Sequence, residues 1–410
     1  MKLILKNIKQ LVSCSDENGF VPLDRICTPL SSNNTIVIED GEIKRIGKDI
    51  EESADRTLDC SNYIVTPGFV ESHSHLVFSG SRADEFLMRA SGVPYKEIAK
   101  SGGGIKKSVR QTREVSFERL FEESKERLKK FLKKGVTSIE IKSGYGLDRD
   151  TEIKQLKVIK ELKKSFPVEI RSTFLGAHEI PEEFKDKRDY YIKFLKEEMI
   201  PYVAQEKLAD FIDVFCEKGV FTKDESLDIL EKGIEYGLKA RVHADEIENS
   251  GGSSVARMVK AKSVDHFNYP DEKDLIFLKE NKTVITLLPA TNFFLKLKGR
   301  PPIEKMRETG NIISISTDFN PGSSPCYSIL FAATVGMVNY GLNYDELIYG
   351  ITINPAFSLD LDKKGSIDEK KDADLLLFKR DDYKDLFYFT GDDQPDIVIL
   401  KGEIVDFGKF

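Results

Sequence analysis

Two imidazoles two residues apart, His73-Ser-His75, are the first residues of this 410-residue chain whose spacing points to chemistry. Side chains of an extended segment alternate with period two, so both rings face one side and can bite one ion. Neutral imidazole is a common metal ligand. An HxH alone also fits loop decoration, but this one follows an apolar run and Pro67-Gly68. The chain has only five histidines, and His178, His243 and His266 each stand at the end of another short apolar run. Glu246 comes three residues after His243. Asp318 ends a further run, where a buried carboxylate is costly unless a cation or a helix cap takes it up. Tyr145 lies in the glycine-flexible Lys142-Ser-Gly-Tyr-Gly-Leu147, which also reads as an ordinary turn. Arg82, seven residues past His75, can receive an anionic group, although most arginines are solvated surface. Ser101-Gly-Gly-Gly104 lacks the GK[ST] ending of a phosphate loop and is expected to be a mobile loop.

These residues need elements that bring them together. Apolar, β-branched runs recur at 63–70, 135–141, 168–175, 210–216, 239–242, 263–267, 283–288 and 312–316. Amphipathic segments separate most of them, clearest at 116–134 and weaker at 154–164 and 224–236. Strands alternating with helices imply parallel connections, and buried parallel strands read as continuous apolar runs. Eight such strands predict a (β/α)8 TIM-type barrel, whose catalytic groups sit after the C-terminal strand ends. Every histidine falls there, as do Tyr145 after the second strand and Asp318 after the eighth. Both chain ends are β-rich, with turns at Asp40-Gly41 and Lys401-Gly402. The expected organisation is a small β-sandwich domain built from 1–62 and 357–410 around a barrel over 63–356.

Composition bounds the rest. Apolar residues make up 40% of the chain, enough for a large core, and 62 basic against 69 acidic residues leave a net charge of −7. That balance gives no footprint for nucleic acid. Five cysteines without CxxC spacing argue against a disulfide framework or a thiolate zinc site. No signal-peptide core follows Lys2 and Lys6, and the apolar stretch at 328–342 is too short and interrupted for a membrane span. A soluble cytoplasmic protein is expected.

Pro67-Gly-Phe-Val-Glu-Ser-His-Ser-His75 resembles the first metal motif of the amidohydrolase superfamily, and Gly365-Ser-Ile-Asp-Glu-Lys-Lys-Asp-Ala-Asp-Leu375 looks like its return into the small β domain. Within it the chain is similar to the imidazolonepropionase family. The matching stretches are Phe78-Ser-Gly-Ser-Arg-Ala-Asp-Glu-Phe86, Lys142-Ser-Gly-Tyr-Gly-Leu147, Thr173-Phe-Leu-Gly-Ala-His178, His243-Ala-Asp-Glu246 and Ser316-Thr-Asp-Phe-Asn-Pro-Gly-Ser-Ser-Pro325. The HxH is shared across the superfamily, whereas the Tyr145, His178 and 320–323 motifs are far more specific. Ser72 and Ser74 depart from the pattern without replacing a ligand.

The resemblance implies that His73, His75, His243 and Asp318 bind one divalent zinc or iron. It implies that Arg82, Tyr145, His178 and Glu246 contact substrate, that Tyr95 joins Arg82, and that Asn320, Gly322 and Ser323 line the pocket. No lysine presents itself at a strand end as a carbamylated bridge, so one metal is expected rather than two. The implied reaction is hydrolysis of 4-imidazolone-5-propanoate to N-formimino-L-glutamate, by attack of metal-activated water on the ring carbonyl. Glu246 would shuttle the proton, Asp318 could share that role, His266 would orient the water, and His178 would bind the substrate carbonyl. A small-molecule substrate and a homodimer are the expected partners, with no nucleic acid and no membrane. Two rivals remain: deamination of a purine, pyrimidine or formimino compound on the same barrel, and a non-catalytic scaffold. Arg82 with Tyr145 suits a small anion better than a neutral base, and a scaffold predicts eroded ligands.

Overall fold

The computed structural model describes residues 1–25, 32–93, 103–392 and 394–409; Tyr95, Ser101, Gly102 and Cys27 lie outside them. The chain begins with β1 (Lys2–Ile8), β2 (Gln10–Leu11), β3 (Asn34–Glu39), β4 (Glu42–Gly47), β5 (Arg56–Asp59) and β6 (Ile64–Pro67). Asp40 and Gly41, at φ of 51° and 82°, form the left-handed pair that joins β3 to β4. The middle supplies β7 (Phe69–Glu71), β8 (Val136–Lys142), β9 (Glu169–Ala177), β10 (Phe211–Cys216), β11 (Lys239–Ala244), β12 (Ser263–His266), β13 (Val284–Leu287) and β14 (Ile312–Ile315). These eight lie in sequence order in one sheet, each pair parallel. The chain ends with β15 (Leu375–Phe378), β16 (Ile397–Leu400) and β17 (Glu403–Ile404), the last two joined through Lys401 and Gly402.

The barrel is nearly closed. Between β14 and β7 the described ladder reduces to one bridge, Ser74 with Phe319. There the His75 N–H donates to the Phe319 carbonyl at 2.9 Å, and the Ser72 N–H donates to Ser316 Oγ at 3.0 Å. The small domain is a sandwich of two sheets, β4-β3-β1-β5 and β17-β16-β15-β6-β2. Leu3, Leu5, Ile36 and Ile38 of the first sheet share a core with Val65, Leu375, Leu377 and Ile399 of the second.

Two expectations change. The run 63–70 is two strands, not one: β6 pairs with β15 in the sandwich and β7 with β8 in the barrel. The break falls at Gly68, where a Cβ would lie 2.0 Å from Thr137 Oγ1, and its N–H donates to the Asp374 carbonyl at 2.8 Å. The barrel strands are also not apolar on both faces. Ile139 and Ile141 pack into the hydrophobic core, while Glu140 and Lys142 alternate with them and join Asp213, Arg241 and Asp265 of other strands in a fully buried charged layer.

The helices run close to the amphipathic segments. Phe117–Lys133 is capped by Ser116 and buries Leu120, Leu128, Phe131 and Leu132. Arg149–Ser165 starts earlier than its apolar pattern because the Asp148 carboxylate accepts the Thr151 N–H at 2.7 Å. Lys223–Glu235 opens on a Thr222/Glu225 capping box. The apolar stretch near the end folds as Ile329–Tyr340. Among the described residues, no helix is long and apolar enough to cross a membrane.

Candidate active site

All five histidines gather at the C-terminal ends of the barrel strands. His73 and His75 follow β7, His178 follows β9, His243 lies near the end of β11, and His266 ends β12. Their rings pack closely, with centroid distances of 4.4 Å for His73–His243, 5.4 Å for His75–His243, 5.4 Å for His243–His266 and 5.1 Å for His75–His178. Asp318, three residues past β14, brings Oδ1 to 3.5 Å from Nε2 of both His73 and His75. Its other oxygen accepts the Thr291 hydroxyl at 2.7 Å. Asp245, His266, Phe267 and Asp318 all hold left-handed φ, from 51° to 74°. Such conformations are unfavourable for non-glycine residues and are retained where the surroundings over-determine them.

The donor set fits a metal. Ligating atoms of His73, His75 and His243 lie within 4.8 Å of one another. Asp265 Oδ2 accepts from His73 Nδ1 at 2.7 Å and Asp213 Oδ2 lies 2.9 Å from His243 Nδ1, so each outer nitrogen faces a carboxylate. A carboxylate that accepts a hydrogen bond from Nδ1–H keeps the proton on Nδ1 and leaves the lone pair on Nε2. His73 Nε2 is buried with no hydrogen-bond partner. The Nε2 atoms of His75 and His243 approach to 3.3 Å, close enough for one cation to take both. Burial depresses the basicity of His73 and His75 well below that of free imidazole, which keeps both rings neutral.

Glu246 stands beside this cluster, with Oε2 3.7 Å from His266 Nε2. Burial, with smaller contributions from Asp318 and Glu217, pushes its carboxyl up to about 8. Burial likewise raises Asp318 to about 6. Glu217 holds the Glu246 turn in place by accepting the N–H groups of Glu246 and Ile247, both at 2.9 Å. His178 donates Nδ1–H to the Gly144 carbonyl at 2.9 Å. Burial and its neighbours lower its pKa to about 4, so the ring is neutral and its Nε2 is an acceptor. That tautomer does not suit the expected bond to a substrate carbonyl oxygen; it suits a substrate N–H.

Of the remaining expected contacts, Tyr145 packs against the histidines and Arg82 against the 320–323 turn. Tyr145 is buried with its ring 5.9 Å from His75 and 5.4 Å from His178. Its loop is clipped by Glu152, whose Oε1 accepts the N–H groups of Gly144, Gly146 and Leu147. Arg82 directs Nε to Glu85 at 2.8 Å and packs against Gly322, where a Cβ would lie 2.0 Å from Nη1. Asn320 spends its amide on its own loop, accepting from Gly322 and Ser323 N–H and donating to the Asp318 carbonyl and Ser323 Oγ. It holds that turn. Gly104 starts the helix Ile105–Glu114, and its N–H donates to Glu85.

Several residues under the site were not anticipated. Lys142 ends β8. Its ammonium lies 2.9 Å from Glu140 and from Asp213, and 3.8 Å from Asp265. Burial works against its charge, yet these carboxylates raise its pKa above the ordinary lysine value. Glu71 accepts the N–H groups of both His73 and Thr317 at 3.0 Å, joining the segments after the first and last strands. The signal for three of them was present: Ile-Glu140-Ile, Ile-Asp213-Val and Val-Asp265-His each set one acid inside an apolar strand, where burial demands a partner.

The amidohydrolase family model matches residues 64–405. An imidazolonepropionase of Clostridium tetani is 41% identical over 413 residues, covering 98% of each chain. One from Geobacillus sp. is 41% identical over 414 residues, 98% of this chain and 97% of the other. Among solved structures, an adenosine deaminase from Xanthomonas campestris with bound zinc superimposes at a TM-score of 0.71, covering 98% of this chain and 92% of the other. At 14% identity that likeness concerns the fold alone.

Proposed function

Since the chain belongs to the amidohydrolase family, and within it to the imidazolonepropionases, we propose that its site hydrolyses the cyclic amide of 4-imidazolone-5-propanoate to N-formimino-L-glutamate. The observation that carries this reading is the convergence of His73, His75 and His243 on one point, in a chain 41% identical to imidazolonepropionases along almost its full length. His73, His75, His243 and Asp318 would hold one zinc or iron. That ion supplies Lewis acidity and a water whose pKa falls to ~7.

The chain's own groups do the rest. Glu246 accepts the water proton as the carbonyl is attacked and delivers it to the ring nitrogen as the C–N bond breaks. Its raised pKa, up to about 8, suits a group that must take and return a proton near neutrality. His266, 3.7 Å away, orients that carboxylate and the water, and Asp318 can share the proton. His178 accepts a ring N–H of the substrate through Nε2. Arg82 and Tyr145 engage the propionate, Tyr95 is a further contact on the family resemblance alone, and Gly322 and Ser323 line the pocket on the turn that Asn320 holds. Binding the remote propionate helps place the ring carbonyl for attack. We further place the protein in the cytoplasm as a homodimer, in keeping with the family resemblance.

The test is turnover of 4-imidazolone-5-propanoate by zinc- or iron-loaded protein, followed by loss of the ring chromophore, with a chelated control. Chelator-sensitive ring opening is expected. Bound metal without turnover would overturn the substrate, and a panel of deaminase substrates would then decide between the rival chemistries.

A further inference from the structure

We propose that Lys142 is a positioning residue, a single ammonium that presets the histidines through three carboxylates. Each carboxylate leads to a different part of the triad. Asp213, 2.9 Å from Lys142 Nζ, reaches His243 Nδ1 at 2.9 Å and accepts the His243 backbone N–H at 3.1 Å. Asp265, 3.8 Å from Nζ, accepts from His73 Nδ1 at 2.7 Å. Glu140, 2.9 Å from Nζ, accepts the backbone N–H of Ser74, between His73 and His75, at 3.3 Å. Lys142 also donates its own N–H to the Ser74 carbonyl at 2.9 Å.

The carboxylates come from β8, β10 and β12, strands that do not pair with one another. Only a group inside the barrel can reach all three, and every side chain in this set is inaccessible to solvent. The ammonium holds Asp213 and Asp265 in line with their histidines. Asp265 then accepts the His73 Nδ1–H and Asp213 stands against His243 Nδ1, an arrangement that turns both Nε2 lone pairs to the metal position. Arg241 adds a second cation 3.6 Å from Asp265, so two cations face three carboxylates and the layer favours a further cation above it. Asp213, His243 and Asp265 are close enough to hold an ion themselves; Lys142 lies against both aspartates, which favours one metal over two.

The inference rests on the metal reading, and the experiment separates the two. Zinc affinity of the full-length protein is measured by chelator competition, together with histidine tautomers from 15N spectra of the metal-free form. Wild type is expected to bind one zinc, with Nδ1–H tautomers at His73 and His243; no zinc binding would sink the metal reading itself. Lys142→Met is expected to weaken zinc binding about 10- to 100-fold and to mix the two tautomers. A folded Lys142→Met with wild-type affinity and tautomers would overturn the proposal and leave Lys142 as charge compensation only. Should that variant fail to fold, Glu140→Gln decides. It leaves Lys142 beside both aspartates but removes the charge that ties it to the strand leading to Ser74, and affinity is expected to fall severalfold. An unchanged affinity there overturns the proposal.

Discussion

At the scale of single residues, the proposed proton shuttle makes Glu246 the group on which turnover is expected to depend most. Glu246→Gln is expected to keep the bound metal and to lose turnover by about 10²- to 10⁴-fold, as for loss of a general base. Metal content and kcat measured on the same preparation check this, and a near-normal rate would exclude Glu246 as the proton carrier. The pH dependence follows from burial. A carboxyl raised from 4.5 up to about 8 is protonated, and useless as a base, on the acid side of that value. The acid limb of kcat/KM should therefore lie above the ordinary glutamate range and disappear from the residual rate of the variant. Gly322 makes a separate prediction about binding. An added Cβ would meet Arg82 Nη1 at 2.0 Å, and a flexible guanidinium gives way more easily than a turn. Gly322→Ala should raise KM about tenfold, ~1.4 kcal/mol, with little change in melting temperature; an unchanged KM would remove Arg82 from the substrate pocket.

At the scale of elements, the joint between sandwich and barrel is the segment most exposed to small changes. β6 and β7 are separated by Gly68 alone, yet they belong to different sheets. Gly68→Ala drives a methyl to 2.0 Å from Thr137 Oγ1 and 2.6 Å from Thr137 Cγ2. The clash is with a β-branched side chain on a buried barrel strand, which has little room to turn. A loss of about 1–3 kcal/mol is expected, read from urea unfolding, whereas the same change at exposed Gly92, where nothing lies within 4 Å, lacks that steric clash. Glu152 shows how a helix sets a loop. Its one carboxylate holds the turn carrying Tyr145, and that turn's Gly144 carbonyl in turn fixes the tautomer of His178.

For the whole molecule, the proposed metal site lies across the weakest seam of the ring. His73 and His75 follow β7 and Asp318 follows β14, the pair of strands joined by a single bridge. An ion held from both sides binds the folded chain and not the unfolded one, so it stabilises by mass action. Zinc at a hundred times its Kd is expected to add about 2.7 kcal/mol, seen as a melting temperature that rises with free zinc and falls in chelator. A melting temperature insensitive to zinc would mean that the histidines are not gathered in solution as they are here.

What the sequence determined by itself was set by local geometry. Period-two alternation put His73 and His75 on one side, Asp40-Gly41 and Lys401-Gly402 specified their turns, and the amphipathic stripe of Phe117–Lys133 announced its buried face. The count and order of apolar runs implied a parallel barrel, and that placed all five histidines at one rim. Only the tertiary structure decided which partners the buried charges take. Glu140, Asp213 and Asp265 read as isolated acids, far apart in sequence, until ring closure brings them to Lys142. The same holds for the division of 63–70 between two sheets and for the tautomer of His178. Each depends on an atom from a distant segment, Thr137, Asp374 or Gly144. Sequence periodicity specifies the face a residue presents to the fold; the closed ring specifies what it meets there.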